Sequence, residues 1–359
     1  MNEVIDLVAL GWNTTLDEAF TEHRDQGYEP ARVTVQHRGS YNLISEKGEM
    51  TASTSGSLLH HARGGGDLPA VGDWVAVSGE PGNSGVIHAV MPRRSCFSRK
   101  VAGDVVQEQV LAANVDVVFL VSSLNEDFNV RRLERYLTTA YASGARPVIV
   151  LTKSDIAEDA AECIAEAEAI AVGVPVHAVS NVTNEGIEDV RAHLEVGTTA
   201  VLLGSSGVGK STLVNSLAGD DRQLVNDIRA DGRGRHTTTY RELILLPDGG
   251  VIIDTPGIRE LQLWDVEEGL EQTFEDIAEL AQGCRFGDCS HDSEPGCAVK
   301  TALEDGSLAA DRFESFQKLQ RELAYLERKQ DKKAAAEEAK KWRAVSRARN
   351  KINRSQNEY

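Results

Sequence analysis

The octapeptide Gly204-Ser205-Ser206-Gly207-Val208-Gly209-Lys210-Ser211 stands after the tetrapeptide Thr152-Lys153-Ser154-Asp155, and this order constrains the fold more than any other feature of the chain. The octapeptide fits Gly-x-x-x-x-Gly-Lys-Ser at every position and follows the apolar run Thr199-Ala200-Val201-Leu202-Leu203, which predicts a buried strand entering a phosphate loop. Its glycines let backbone N–H groups face phosphate oxygens. Lys210 is placed to reach the β and γ phosphates, Ser211 to ligate Mg²⁺, and a helix starting near Gly209 adds its positive end to the anion site.

A phosphate loop does not choose between bases, so the base must be read elsewhere. Asp155, at the end of the apolar run Val148-Ile149-Val150-Leu151, can accept from guanine N1 and N2 together. Adenine lacks that donor pair, and a buried carboxylate left unpaired is costly. Lys153 is placed along the base plane. Thr152 stands where such tetrapeptides usually carry asparagine; it can bond the phosphate-loop backbone but brings one polar group fewer. Val174 to Ser180, followed by Asn184-Glu185-Gly186, predicts a strand ending in a serine loop over the base, and Val251-Ile252-Ile253-Asp254-Thr255-Pro256-Gly257 a strand that brings Asp254 near Mg²⁺ and the Gly257 N–H near the γ phosphate. Between them, Gly232 to Thr239 reads as a switch segment in which one threonine completes the metal sphere. Thr238 is favoured and Thr237 stays open. Ile258 occupies the place where signalling GTPases carry a water-orienting glutamine. His236 is the best internal substitute, although a solvated loop histidine reads equally well. The whole set predicts a GTPase domain with circularly permuted motifs.

The 359 residues allow two or three domains. Between about Ala31 and Met91, short β-rich runs broken by glycine turns suggest a small oligonucleotide-binding barrel, with Arg32, His37, Arg38 and a flexible glycine loop lining a nucleic-acid face. From about Ser95 to Leu270, strands alternate with helices as in a doubly wound α/β sheet whose ligand loops lie at the strand ends. The expected limits are 1–94 for an N-terminal extension and barrel, 95–270 for the permuted GTPase domain and 271–359 for a metal-binding helical domain. In the last, Cys284, Cys289, His291 and Cys297 offer three thiolates and an imidazole, a closed set suited to one structural Zn²⁺. Cys96 and Cys163 lack partners and read as packing residues.

The net charge of −18 hides an asymmetry: Lys318 to Arg354 holds thirteen basic against five acidic residues, +8, so the remainder carries −26. A basic arm on an acidic body suggests phosphate-backbone contact through the arm. The odd cysteine count, an acidic start without a basic cluster and the absence of an apolar run near ~20 residues point to the cytoplasm and away from membranes. Nothing demands more than a monomer.

Barrel, permuted nucleotide motifs, Cys-Cys-His-Cys loop and basic tail together resemble the ribosome small-subunit-dependent GTPase A family, also called RsgA or YjeQ. The resemblance rests on Thr152 to Asp155, Gly204 to Thr212, Gly232 to Thr239, Asp254 to Gly257, the four metal-loop residues and Gln109 to Asp116. It implies a cytoplasmic GTPase that binds 16S rRNA near the decoding region of the small (30S) subunit late in its maturation, is stimulated by it, and leaves after hydrolysis. It also implies that His236 is the hydrolytic residue. Thr152 and the acidic extension from Met1 to about Glu29 depart from the family pattern. An RNA-binding occupancy sensor that binds GTP with little catalysis is the alternative. A P-loop ATPase or small-molecule kinase is disfavoured by Asp155 and Ser180.

Overall fold

In β1 (Glu29–Gln36), Ala31, Val33 and Val35 alternate with Arg32 and Thr34, the period of a strand with two different faces. With β2 (Tyr41–Ser45), β3 (Gly48–Thr54), β4 (Trp74–Ser78) and β5 (Ser84–Val90) it forms the order β1-β2-β3-β5-β4, and β4 pairs back onto β1. The five strands therefore close into a barrel, with β3 and β5 parallel. Ala31, Val33, Leu43, Met50, Val75, Val77 and Ile87 fill its interior. The computed structural model describes residues 5–101, 107–125, 128–219, 241–254, 267–325 and 328. It divides into two compact units, Met1–Gln262 and Leu263–Tyr359.

The other face of this part of the barrel is not open to solvent. Two short helices, Thr14–Ala19 and Thr21–Asp25, carry Leu16 and Phe20 onto Ile44, Trp74, Ala76 and Met91, and Leu10 joins the same cluster. Asn13 starts the first helix by accepting from the Leu16 N–H at 3.0 Å. Residues 5–28 of the acidic extension thus form a second layer over the barrel wall.

This layer corrects the expectation for Arg32. Its side chain is 1% exposed and does not line a nucleic-acid face. The guanidinium lies 5.6 Å from the Trp74 ring and donates to Leu10 O, to Gly72 O at 3.3 Å and to Thr199 Oγ1 at 2.8 Å. Burial pulls its pKa down to about 10, which leaves it charged at neutral pH. The glycine loop is likewise tied down: Arg63 N–H donates to Asp67 at 2.7 Å, and Arg93 bridges Gly66 O, Leu68 O and both oxygens of the buried Asp73. Arg38 alone of the three expected basic residues is exposed. Arg32→Ala strands buried carbonyls without a donor, so unfolding free energy should drop by roughly 2–4 kcal/mol. A denaturant midpoint displaced with unchanged slope checks this; an unmoved midpoint refutes it.

After the hairpin β6 (Cys96–Val101) and β7 (Gln107–Ala113) come β8 (Val117–Ser123), β9 (Arg146–Thr152), β10 (Val176–Val179), β11 (Thr199–Leu203), β12 (Glu242–Leu245) and β13 (Val251–Asp254). Burial pushes the Cys96 thiol up to about 11, in keeping with a packing residue. The order β10-β9-β8-β11-β13 is parallel, β12 joins antiparallel to β13, and β12 pairs with β1 at Val35 and Glu242. Nucleotide sheet and barrel wall are one continuous sheet.

Every residue of β8 and β11 is buried, as parallel strands covered on both faces require. Val118 and Leu120 pack with Leu133, Leu137 and Ala140 of the helix Val130–Ser143, and with Ala167 and Ile170 of Ala160–Ile170. Val117, Phe119 and Val121 face Ile187 and Val190 of Ile187–Arg191 and Leu213, Val214 and Leu217 of Lys210–Ala218. The chain winds outward from β8 to β10, then returns to place β11 beside β8. That reversal opens a crevice at the strand ends, the usual ligand position in such sheets.

The second unit holds the helices Glu267–Thr273, Glu275–Gln282 and Ala298–Asp305 and helical residues 310–325. Phe313, Leu319 and Leu323 are buried, and Phe316 meets Phe274 edge-on at 5.5 Å. Arg312 grips Asp276 through two bonds of 2.7 and 2.8 Å and lies 4.8 Å from the Phe274 ring. Most of the basic arm lies outside the described residues.

Candidate functional site

The phosphate loop follows β11 at the reversal. A Cβ at Gly204 would stand 2.3 Å from Val121 O, so the loop crosses β8 only with glycine there. Gly209, at φ +95°, turns the chain into the helix Lys210–Ala218. Lys210 Nζ donates to Gly204 O at 2.6 Å and Ser205 O at 2.5 Å, which holds the cation over its own loop. Val208 is buried while Ser206, Gly207, Ser211 and Thr212 are exposed, leaving the first helical turn open to a ligand.

Thr152 closes β9, fully buried, and its hydroxyl donates to Val208 O at 2.5 Å. That bond ties the loop after β9 to the phosphate loop. Lys153 takes a left-handed conformation at φ 63°, and the short turn Ser154–Ile156 brings Asp155 to the surface. Non-glycine residues held in this region are uncommon and cluster at functional sites. At the end of β10, the buried Ser180 hydroxyl accepts from the N–H groups of Val182 (3.2 Å) and Thr183 (3.1 Å), and its own N–H donates to Glu185 O at 3.0 Å. Asp254 ends β13, which pairs with β11, so it belongs to the same sheet edge. His236, Thr237, Thr238 and Gly257 lie outside the described residues.

Two contacts on the phosphate loop escaped the motif reading. Arg132 Nη1 donates to Ser205 Oγ at 2.5 Å, and Tyr136 OH lies 3.4 Å from the same oxygen. They sit four residues apart, hence on one helix face. Asn129 begins that helix by accepting from Arg132 N–H at 2.9 Å. Helical spacing is the one sequence signal that pairs Arg132 with Tyr136; their target is set by the fold.

In the second unit, Cys284, Cys289, His291 and Cys297 bring their ligand atoms within 4.8 Å of one another. Tetrahedral coordination with ordinary Zn–S and Zn–N lengths needs edges of about 3.8 Å between sulfurs and about 3.6 Å between sulfur and nitrogen. Cys284 Sγ to Cys297 Sγ is 3.8 Å, and His291 Nδ1 lies 3.7 Å from Cys284 Sγ and 3.3 Å from Cys297 Sγ. The donor set therefore fits such an ion in size and in chemistry. His291 needs φ 61° to turn inward. Glu294, also missed by spacing alone, knots this turn: its carboxylate accepts from the Ser290 hydroxyl and from the N–H groups of Ser290, Asp292 and Ser293, each 3.0 Å away. The Ser290 hydroxyl, with the backbone N–H groups of Glu294, Ser290 and Ser293, holds the Glu294 pKa down to about 2.

A family model described as RsgA GTPase matches residues 90–264. The small ribosomal subunit biogenesis GTPase RsgA of Opitutus terrae is 48% identical, with 96% of this chain and 98% of that protein aligned. The chain belongs to the RsgA GTPase family. It is a GTPase with circularly permuted motifs. A second RsgA, from Oceanobacillus iheyensis, is 49% identical over 88% of this chain and 91% of its own length. The crystal structure of YjeQ from Thermotoga maritima superposes with a TM-score of 0.63 at 29% identity, covering 83% of this chain and 99% of the other. YloQ, described as a circularly permuted GTPase, superposes at 0.61 and 27% identity, covering 83% and 95%. The barrel, the nucleotide sheet and the Cys/His cluster accord with these RsgA-family relationships. Among the described residues no helix is long and apolar enough to cross a membrane.

Proposed function

We propose that this GTPase acts in biogenesis of the small ribosomal subunit, binding 16S rRNA near the decoding region as a cytoplasmic monomer and leaving the 30S particle after GTP hydrolysis. The observation that carries the reading is the near-full-length likeness to proteins named small ribosomal subunit biogenesis GTPase RsgA, and the 2.5 Å bond from Thr152 to Val208 O supports one nucleotide site at the reversal of the sheet. In this reading Asp155 accepts from guanine N1 and N2, Lys153 lies along the base, and the Ser180 loop closes over it. Lys210 and the N–H groups of Gly204 to Thr212 hold the phosphates. Ser211 and one of Thr237 and Thr238 would hold Mg²⁺, with Asp254 behind them, and that ion would offset phosphate charge. Gly257 N–H meets the γ phosphate, and His236 orients the water for which Ile258 has no polar group. Cys284, Cys289, His291 and Cys297 would hold one structural Zn²⁺. Residues 1–94, 95–270 and 271–359 are the working divisions, with the basic arm adding contact to RNA backbone.

Turnover of GTP by the purified chain, alone and with small or large ribosomal subunits, tests the reading. Stimulation of at least about tenfold by small subunits alone is expected, since a group missing from the resting site is worth a factor of this order or more. Flat turnover despite tight GTP binding would favour the occupancy sensor to which Ile258 points.

A further inference from the structure

Three buried side-chain polar atoms among the described residues have no hydrogen-bond partner: Nδ1 of His23, Oγ of Ser154 and Oδ1 of Asn181. The first belongs to the layer over the barrel. The other two sit on the loops after β9 and β10. Buried polar groups are nearly always paired, and an unpaired one is costly, so two of them beside one crevice call for an explanation.

Asn181 directly follows Ser180, and its side chain turns toward the phosphate loop. A Cβ built on Gly209 would lie 3.4 Å from Asn181 Nδ2, 3.7 Å from Thr152 Oγ1 and 3.8 Å from Thr152 Cβ. The carboxamide, the threonine hydroxyl and the last glycine of the phosphate loop thus meet at one point. Each comes from the carboxyl end of a different strand: β10, β9 and β11.

Thr152 leaves a chemical deficit there. A hydroxyl has a single hydrogen, and that of Thr152 is committed to Val208 O at 2.5 Å. The usual asparagine would bring two amide hydrogens, enough for the loop carbonyl and for a base. Asn181 brings a carboxamide to the same place from the neighbouring loop. Its oxygen and nitrogen are exchanged by a half-turn about the Cβ–Cγ bond, so the group can present N–H to a ligand where Oδ1 now stands without a partner.

We propose that Asn181 is a base-binding residue, whose carboxamide donates to the O6/N7 edge of guanine and supplies the contact that Thr152 cannot make. Guanine offers two acceptors on that edge, whereas adenine offers one acceptor and an amino donor. A carboxamide can also pair with the adenine edge, donating to N7 and accepting from the amino group, so Asn181 strengthens base binding while Asp155 on the opposite edge selects guanine. The assignment rests on reading Thr152 to Asp155 and Ser180 as the base site.

The test is equilibrium binding of GDP, of 7-deaza-GDP, which lacks N7, and of 6-thio-GDP, which keeps N1–H for Asp155 but replaces O6 with a weakly accepting sulfur, to the full chain. The unsubstituted protein should bind at least one analogue about tenfold more weakly than GDP, the worth of one good hydrogen bond. Asn181→Ala should weaken GDP by a similar factor and leave that analogue unchanged, the coupling expected of partners in contact. Equal binding of all three ligands by the unsubstituted protein overturns the proposal, and it does so even if the variant folds poorly. So does an Asn181→Ala change that is silent, or that weakens GDP and both analogues alike, since the residue would then be a prop. Asp155→Asn separates the two levels: exchange of guanine for xanthine preference supports the base site. Without that exchange the broader reading fails; with it, a silent Asn181→Ala sinks only the role of Asn181.

Discussion

Lys210→Ala should lower GTP turnover by about 10²–10³-fold, the usual cost of removing one preorganised group that meets developing charge. The geometry explains why the effect falls on the reaction and not on the fold. Lys210 Nζ bonds Gly204 O and Ser205 O, both within the loop it serves. Those carbonyls hold the ammonium group at a fixed place over the loop, so no reorganisation is needed when phosphate charge builds. With the cation gone, a half-buried loop can hydrate them, and thermal stability should change by less than about 1 kcal/mol. Lys210→Arg would carry the charge on a broader, planar group and should recover little, because the lysine acts as a point charge in a narrow loop. Single-turnover hydrolysis at saturating GTP, with small subunits present, is the decisive measurement. Turnover within tenfold of the parent would remove Lys210 from the reaction.

The strand, loop and helix around Lys210 were legible because they announce themselves locally. An apolar run followed by a glycine-rich loop and a helical pattern is one strand, one turn and one helix, and all three can be read within twenty residues of Lys210. The short β-rich runs Arg32 to Gln36, Asp73 to Ser78 and Gly85 to Val90 likewise marked strands of a barrel. Arg32 shows where such reading stops. Alternation puts it opposite Ala31 and Val33, which means solvent only if nothing covers that face. The partners that bury it, Leu10 and Thr199, lie 22 and 167 positions away. The covering helices, of six and five residues, are too short for a periodic signal to show. Arg132, Glu294 and Asn181 escaped for a related reason. Each lies against a loop that it meets only because of how strands are ordered or how a turn is knotted. None of the three belongs to a motif with its own spacing.

The metal loop should give the largest effect on folding. The second unit has a small core, in which Leu270, Phe274, Ile277, Cys297, Val299, Ala302, Leu308, Phe313, Leu319 and Leu323 are the buried apolar residues of its described helices and turns. Burial on that scale leaves a small domain marginal without a staple. Structural Zn²⁺ in comparable small sites is worth about 10–16 kcal/mol of binding that is also folding energy. Cys297 carries a double role here. Its sulfur is one of the four ligand atoms, and it also accepts from Lys300 N–H at 3.4 Å at the start of Ala298–Asp305. Cys297→Ala should therefore abolish the binding of one zinc per chain and unfold residues 275–305 cooperatively, read as lost hydrogen-exchange protection there. Glu294→Gln keeps all four ligands and weakens only the knot around His291, so zinc should be retained but leave to a chelator about 10–100-fold faster. Full protection of 275–305 in a zinc-free Cys297→Ala chain would show that the apolar contacts of Phe274 and Phe313 suffice. The four ligands would then be a decoration on a stable helical unit, and the grading between the two substitutions would vanish with them.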